Sequence, residues 1–223
     1  MTTWKIEPCF VGDAAALARN NMAAFWEDPN WVILWPKDME QEFIIAQSAK
    51  RQPRNLLRDR EKVRHQKAID PILPPRHYIA EDGSPAWAEA QVPDVSEDEE
   101  KQYQTLAESA WWSPREDMNS LDDKNHVVMD RILAEKPYIK LDYLAVHPEN
   151  KGKGIGTALV ASGIEYAEKV GVPIFTMAFK AGRGIYARLG FQEVDRVIQD
   201  DSMYGGPGEY AAYFMVYDVQ RNV

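Results

Sequence analysis

The pattern of apolar and polar residues in the first third of the chain predicts one strand followed by helices. Residues 4–11 alternate well enough for a strand, and Asp13 is a suitable N-cap for a helix over 14–25. A second helical stretch begins with Asp38 as N-cap and runs to about residue 66. Pro53 is expected to divide that stretch into two helices.

The middle of the chain carries weaker signals. Residues 76–80 and 86–92 are typical of two short strands around a turn at 81–84, which predicts a hairpin. Residues 94–101 then hold five acids and one base, as expected of a solvated connection. The segment at about 93–136 has helical character, and we interpret it as an insertion rather than a domain.

The last third of the chain has the clearest periodicity. It predicts a central strand at 140–146, an amphipathic helix at 155–170, a buried strand at 172–179 and a short helix at 182–189. Two final strands follow at 191–198 and 210–219. This order indicates an α/β fold with a mixed sheet.

Length and composition favour one enzyme-sized domain. The chain has 223 residues, of which 45% are hydrophobic and 27% charged, as in ordinary globular proteins. A second full domain is not expected, so residues 1–223 are predicted to form a single domain that contains the insertion.

Charge and cysteine content narrow the partners and the compartment. The formal net charge of −9 disfavours general binding to nucleic acid or an anionic membrane and is more compatible with cationic amines. Cys9 is the only cysteine, which excludes an intrachain disulfide and is best read as a small buried hydrophobe. Without a signal-peptide core or an apolar stretch of membrane-spanning length, the protein is expected to be cytoplasmic.

A glycine-rich turn after the predicted central strand carries the most chemical information. The apolar run 141–146 leads through His-Pro-Glu-Asn to Lys151-Gly-Lys-Gly-Ile-Gly156, where a helix begins. Glycines 152, 154 and 156 leave backbone N–H groups accessible, and the start of a helix adds unpaired amides and a favourable dipole. Lys151 and Lys153 add positive charge, so the turn is suited to bind a pyrophosphate.

Two common nucleotide motifs do not fit this spacing. A P-loop requires Ser or Thr after the Gly-Lys step, whereas Gly154 follows Gly152-Lys153. A dinucleotide fingerprint that starts at Gly152 requires a glycine at 157, where the chain has Thr157.

The turn instead resembles the pyrophosphate loop of the GNAT superfamily of acetyl-CoA-dependent N-acetyltransferases, which has the form Gln/Arg-x-x-Gly-x-Gly/Ala after a strand ending in Leu-x-Val. The match falls on 151–156, with Lys151 in place of Gln or Arg. A second segment, Gly182-Arg-Gly-Ile-Tyr-Ala-Arg-Leu-Gly-Phe191, resembles the family's Tyr-x-x-x-Gly-Phe signature. The resemblance implies a mixed, mostly antiparallel sheet flanked by helices and acetyl-CoA as cosubstrate.

The resemblance also implies roles for particular residues. The backbone of Leu144, Ala145 and Val146 would pair with the pantetheine arm, and Tyr186 would act as general acid on the departing thiolate. The pyrophosphate would be bound by the loop residues Lys151, Gly152, Lys153, Gly154, Ile155 and Gly156. Many relatives have Asn or Ser seven residues before the tyrosine; this chain has Phe179, whose side chain has no polar atom for that coenzyme contact.

The general base and the acceptor pocket have no signature of their own. Asp142 is the leading candidate base, because it lies on the predicted strand, on the face of Lys140 and Leu144. If that face is exposed, Asp142 is a surface acid or a partner of Lys140. Glu89 is a further candidate for the general base.

Two groups of tryptophans either line an acceptor pocket or pack in the core. They are Trp26, Trp31 and Trp35, and the pair Trp111 and Trp112. The four histidines have no metal-ligand spacing, so no metal is predicted.

Two functions follow from this reading. The first is N-acetyl transfer by direct attack of an amine, of a small molecule or of a peptide, on acetyl-CoA. The alternative is a noncatalytic acyl-CoA-binding regulatory module. The sequence does not specify the acceptor or the oligomeric state, and a homodimer is compatible with it.

Overall fold

The computed structural model describes residues 4–70 and 90–219. The helices of this part of the chain are α1 (Ala14–Trp26), α2 (Pro29–Val32), α3 (Gln41–Leu57), α4 (Glu97–Glu108), α5 (Asn119–Leu133), α6 (Ile155–Val170) and α7 (Lys180–Arg188). The strands are β1 (Lys5–Pro8), β2 (Gln66–Ile69), β3 (Ile139–Lys140), β4 (Ile174–Ala178), β5 (Gln192–Asp200) and β6 (Glu209–Tyr217).

Close contacts group the chain into two units. The first takes its described residues from Met1–Glu27, Asp38–Ser113 and Val146–Leu159, and the second takes its own from Asp28–Lys37, Pro114–Ala145 and Val160–Val223. Helices α4 and α5 confirm the helical character predicted for 93–136. That this segment is an insertion in a single domain stays a prediction.

The first unit contains a two-stranded antiparallel sheet. β1 pairs with β2, with Lys5 opposite Ile69 and Pro8 opposite Gln66. Our reading of residue 66 as the end of a helix was therefore wrong. Asp13 does precede α1, but its carboxylate accepts a hydrogen bond from the Phe10 N–H at 2.8 Å and pairs with Lys67 of β2 instead of capping the helix.

The core of the first unit joins this sheet to the helices. Cys9 after β1, Ala14 of α1, Leu56 of α3 and Val92 form one buried cluster. Burial raises the pKa of the Cys9 thiol to about 12, so the thiol stays protonated and uncharged at neutral pH. This environment agrees with the reading of Cys9 as a small hydrophobe.

Helix α3 continues through Pro53, where a break between two helices was predicted. It begins at Gln41 with Glu40 as N-cap, so the assignment of Asp38 as N-cap was also wrong. Proline removes one backbone hydrogen bond and crowds the preceding turn. Buried Ile44 and Leu56 lie on the two sides of the proline and pack along the same helix, and this packing offsets the local cost.

The second unit contains a four-stranded sheet of order β3-β4-β6-β5. β3 runs parallel to β4, and the β4–β6 and β6–β5 pairs are antiparallel. The predicted α/β class with a mixed, mostly antiparallel sheet flanked by helices is confirmed.

Helices cover both faces of this sheet because its inner strands alternate apolar residues between the two faces. On one face, Phe175 of β4 and Phe214 of β6 stack at 6.4 Å between ring centroids and are packed with Ile132 of α5. On the other face, Ile174 and Met215 lie in a cluster with buried residues of α6 and α7. Both sets are almost fully buried, so each face has its own hydrophobic core.

The predicted central strand at 140–146 is much shorter than its apolar pattern suggested. β3 comprises two residues at the edge of its sheet, and its ladder to β4 ends with the Leu141 N–H donating to the Phe175 carbonyl at 2.8 Å. Residues 141–147 have no regular secondary structure. The apolar residues of this segment are used for packing, as Leu141 and Leu144 contact the cluster beneath α6 and α7.

The remaining predictions for the last third of the chain agree with the structure to within a few residues, and α6 agrees at both ends. The predicted hairpin falls on residues that lie largely outside the described ranges; its last residues, 90–92, have no regular secondary structure.

A buried carboxylate organises the connection between β5 and β6. Asp201 is 1% exposed and accepts hydrogen bonds from Asn30 Nδ2 at 2.6 Å and from the Gly208 N–H at 2.8 Å. Its backbone carbonyl accepts from the N–H groups of Tyr204 and Gly206. The loop 201–208 is thus held by bonds to a single residue.

Replacing Gly206 by alanine should destabilise the protein through this loop. A Cβ at 206 would lie 2.2 Å from the Asp201 Cγ, so backbone or carboxylate must move. We expect a loss of about 1–3 kcal/mol in the free energy of unfolding, the usual cost of overpacking. Gly163→Ala is the control, since nothing lies within 4 Å of a Cβ at 163 in α6. Thermal unfolding should show a lower Tm for Gly206→Ala alone; equal Tm values for the two variants would contradict this role of Asp201.

Candidate active site

The glycine-rich turn has the backbone conformation that its sequence predicts. A short 3-10 turn at Pro148–Asn150 is followed by Gly152 with φ of 76° and Gly154 with φ of 81°. Both angles lie in the left-handed region that favours glycine. α6 begins at the next residue, Ile155, and Gly152, Lys153 and Gly154 are exposed.

Two polar contacts within the first unit fix the start and the end of this turn. The His147 N–H donates to Asn20 Oδ1 of α1 at 2.9 Å. The Trp4 indole N–H donates to the Lys153 carbonyl at 2.7 Å. The turn is therefore anchored through one side-chain acceptor and one side-chain donor, while Gly152 and Gly154 stay exposed and Gly156, within α6, is buried.

The two lysines of the turn have partners of their own. Lys151 forms an ion pair with Glu27 at the end of α1, and Lys153 Nζ donates to Asn150 Oδ1 at 2.7 Å. Lys151 and Glu27 are both about half exposed, so the pair is a surface interaction that contributes on the order of 0–1 kcal/mol. A bound anion can compete with Glu27 for Lys151 at this cost.

The backbone of the turn has the features of an anion site. α6 is 16 residues long, and the first turn of a helix has N–H groups that no carbonyl of the same helix accepts. The aligned peptide dipoles make that end favourable for negative charge. Exposed glycines directly before it allow a phosphate to approach the backbone.

Tyr186 lies in the core of the second unit, on α7. It is 5% exposed, and its ring packs on Phe191 at 5.4 Å between centroids, in a cluster that also contains Met215. Burial raises the pKa of its phenol above the ordinary value, and an interaction with the Thr176 hydroxyl opposes that shift in part. Tyr186 is therefore a protonated hydroxyl at neutral pH, able to donate a proton.

Asp142 has the surface arrangement that was the alternative to a catalytic one. Its Oδ1 lies 2.7 Å from Lys140 Nζ, and its side chain is 73% exposed. The role of Asp142 as a base stays a prediction. Glu89, the further candidate, lies outside the described residues.

Three of the tryptophans noted in the sequence contact other aromatic rings. Trp31 and Trp35 meet edge to face at 5.3 Å in the second unit, and Trp111 packs on Phe43 at 5.6 Å in the first. Phe179, in place of the usual Asn or Ser, precedes α7, and its ring lies 6.1 Å from that of Tyr210.

The described residues 4–70 and 90–219 contain no group of three or more His, Cys, Asp or Glu that could hold a metal ion. In the same ranges, no helix has both the length and the apolarity needed to cross a membrane.

Sequence reasoning missed one polar cluster of the second unit. Gln199, Asp201 and Tyr210 come together at one end of β5 and β6, near Asn125 of α5 and Asn30 of α2. These residues are far apart along the chain and form no motif. Only the polar residues at the end of an otherwise apolar strand β6 gave a local signal.

Comparison with known proteins identifies the fold. Residues 121–193 match the model of the acetyltransferase (GNAT) domain. The structure of "histone acetyltransferase HPA2 and related acetyltransferase" from Corynebacterium glutamicum aligns with a TM-score of 0.55 at 16% identity, and the alignment covers 99% of both chains. A Drosophila melanogaster polyamine N-acetyltransferase aligns at 0.52 and 14% identity, over 97% of this chain and 100% of its own.

An arylalkylamine N-acetyltransferase from Aedes aegypti aligns at 0.50 and 15% identity, over 97% of this chain and 99% of its own. Residues 121–193 therefore match an acetyltransferase (GNAT) domain, and the fold of the chain is similar to that of the acetyltransferase structures named above.

Releasing Lys151 from Glu27 should strengthen anion binding at the turn. In a Glu27→Gln variant the ammonium has no carboxylate partner, so we expect acetyl-CoA to bind about 2- to 5-fold more tightly at low salt, a gain within the range of one surface ion pair. Calorimetric titration measures the change. Glu149→Gln is the matched control, because Glu149 is an exposed acid of the same turn that does not contact Lys151. Equal gains in both variants would show a general charge effect and contradict the specific competition.

Proposed function

We propose that this enzyme transfers the acetyl group of acetyl-CoA to the amino group of a small molecule by direct attack. The observation that carries the proposal is the exposed turn in which Gly152 and Gly154 take left-handed conformations immediately before the long helix α6. Such a turn suits the pyrophosphate of the coenzyme. The match of 121–193 to the GNAT domain supports the same chemistry.

The reaction sets three requirements for the site. A neutral amine attacks the thioester carbonyl carbon, the C–N bond forms, the C–S bond breaks, and the amine proton and the thiolate must each be accommodated. Holding the two reactants in place is worth about 7–11 kcal/mol, so few catalytic side chains are needed. By resemblance, the backbone of Leu144, Ala145 and Val146 holds the pantetheine arm.

Tyr186 is the proposed donor of a proton to the departing thiolate. A buried phenol with a raised pKa stays protonated over the working pH range, as a general acid must before the C–S bond breaks. Burial also keeps the hydroxyl in one orientation, because the ring is packed on Phe191 and against the core.

Asp142 is the proposed acceptor of the proton that the amine must lose. In the structure its carboxylate is exposed and bound to Lys140, so it would serve through solvent or after leaving that ion pair. If Asp142 is only a surface acid, its replacement should leave turnover unchanged.

A small cationic amine is the proposed acceptor class. The net charge of −9 favours cationic substrates over anionic ones. Two of the fold relatives named above are an arylalkylamine and a polyamine N-acetyltransferase, and at their low identity they support this class only by analogy.

Replacing Tyr186 by phenylalanine should lower kcat by about 100-fold, the lower end of the range for general acid catalysis, and leave the Kd of acetyl-CoA within about 2-fold. Single-turnover measurements of thiol release with a saturating amine test this directly. Tyr217→Phe is the matched control, because Tyr217 contacts the same core cluster and its hydroxyl binds Glu168 at 2.7 Å. Full single-turnover activity in Tyr186→Phe would remove the acid role.

An Asp142→Asn variant separates the two readings of that residue. If Asp142 accepts the proton, kcat/KM at neutral pH should fall by at least about 10-fold and recover in part at high pH, where the free amine is already neutral. A pH profile of kcat/KM that coincides with that of the wild type would show that Asp142 is a surface acid.

A further inference from the structure

A cluster of polar side chains lies at one end of the sheet in the second unit, against α5. Gln199 of β5 stands opposite Tyr210 of β6, on the face of the sheet that α5 covers. The Tyr210 ring meets that of Phe179, which is 37% exposed, at 6.1 Å. We call the group formed by Asp28, Asp122, Asp201, Gln199 and Tyr210 the acidic corner.

Two sets of contacts bring the three carboxylates of the acidic corner together. Asn30 donates its side-chain amide to Asp201 at 2.6 Å and its backbone N–H to Asp28 at 2.9 Å. Gln199 Nε2 donates to Asn125 at 3.1 Å, and Asp122 lies three residues before Asn125, on the same side of α5. Asp201 follows Gln199 by two residues at the end of β5.

One buried acceptor of the acidic corner has no donor. Gln199 is 3% exposed, its Nε2 is used by Asn125, and its Oε1 has no hydrogen-bond partner among the described residues. Leaving a buried carbonyl oxygen without a donor is unfavourable. A ligand that brings an N–H group to this oxygen would satisfy it.

Among the described residues, no Lys or Arg side chain forms an ion pair with a carboxylate of the acidic corner. Arg115, which contacts the same loop through the Tyr204 carbonyl, is held by two hydrogen bonds to Asp117. Burial, together with Asp201, Asp122 and Asp28, raises the pKa of the Tyr210 phenol to about 12, as expected where negative charge is concentrated.

We infer that the acidic corner binds a second, non-reacting cationic group of the acceptor, so that the preferred substrate is a diamine or a related dication. This inference rests on the proposed function and specifies its substrate class. The amine that attacks must be neutral, and carboxylates nearby raise the pKa of an amine and keep it charged. The acidic corner would therefore hinder the reacting nitrogen, whereas it suits a cation that stays charged throughout.

The test compares a diamine with a monoamine of the same length in the full-length enzyme. The substrates are 1,4-diaminobutane and pentylamine, with phenylethylamine as a reporter of general activity, and kcat/KM is measured from thiol release. For the wild type we expect 1,4-diaminobutane to exceed pentylamine by at least about 10-fold, in line with one partly desolvated charge pair. Asp122→Asn should reduce that ratio by at least about 5-fold.

Asp123→Asn is the matched control, because Asp123 is the neighbouring exposed acid of α5 and is not among the carboxylates that raise the pKa of Tyr210. It should leave the ratio within about 2-fold of the wild type. A wild-type ratio near one, with phenylethylamine acetylated, would overturn the inference and leave the proposed function intact. Equal losses in the two variants would likewise overturn it. Absence of thiol release with every amine would instead refute the proposed function, and this inference with it.

Discussion

Strands β4 and β6 alternate apolar side chains between two faces, and burial of both faces is the constraint on which the second unit depends. Phe175 and Phe214 require α5 on one side, while Ile174 and Met215 require α6 and α7 on the other. Removing either helix layer would expose large apolar side chains of the same two strands. Because α7 is fixed in this way, Tyr186 is held in the core, where burial keeps its phenol protonated.

Electrostatics divides the protein's chemistry between two kinds of site. The glycine-rich turn is our proposed anion site, and its Lys151 is already paired with Glu27, so the positive field there is modest. The acidic corner has the opposite character, with carboxylates that no basic side chain of the described residues offsets. The proposed reaction joins a polyanionic coenzyme to a cationic amine, and each reactant is suited to one of these two characters.

Local signals decided what the sequence could predict. Helix α6 agreed at both ends, because a left-handed glycine precedes it and another, Gly171, ends it. The run 141–146 was predicted to be a strand, but only Ile139 and Lys140 form strand β3. Apolar residues that only pack against a core give the same sequence pattern as apolar residues of a hydrogen-bonded strand. Strand β2 is short and polar and was missed. The glycine-rich turn was found from the glycines in its sequence. The acidic corner could not be found in this way, because only the fold brings residues 28, 122, 199, 201 and 210 together.

The central claim, that the turn before α6 binds the coenzyme through its backbone, is tested most directly by calorimetric titration of acetyl-CoA into the wild type and a Gly154→Ala variant. Gly171→Ala is the control, because it imposes the same left-handed strain, with no atom within 4 Å of the added Cβ, at the other end of α6. We expect acetyl-CoA to bind the wild type and Gly171→Ala with similar affinity, and its Kd to rise by at least about 10-fold in Gly154→Ala. Unchanged affinity in Gly154→Ala, or no binding to the wild type, would contradict it.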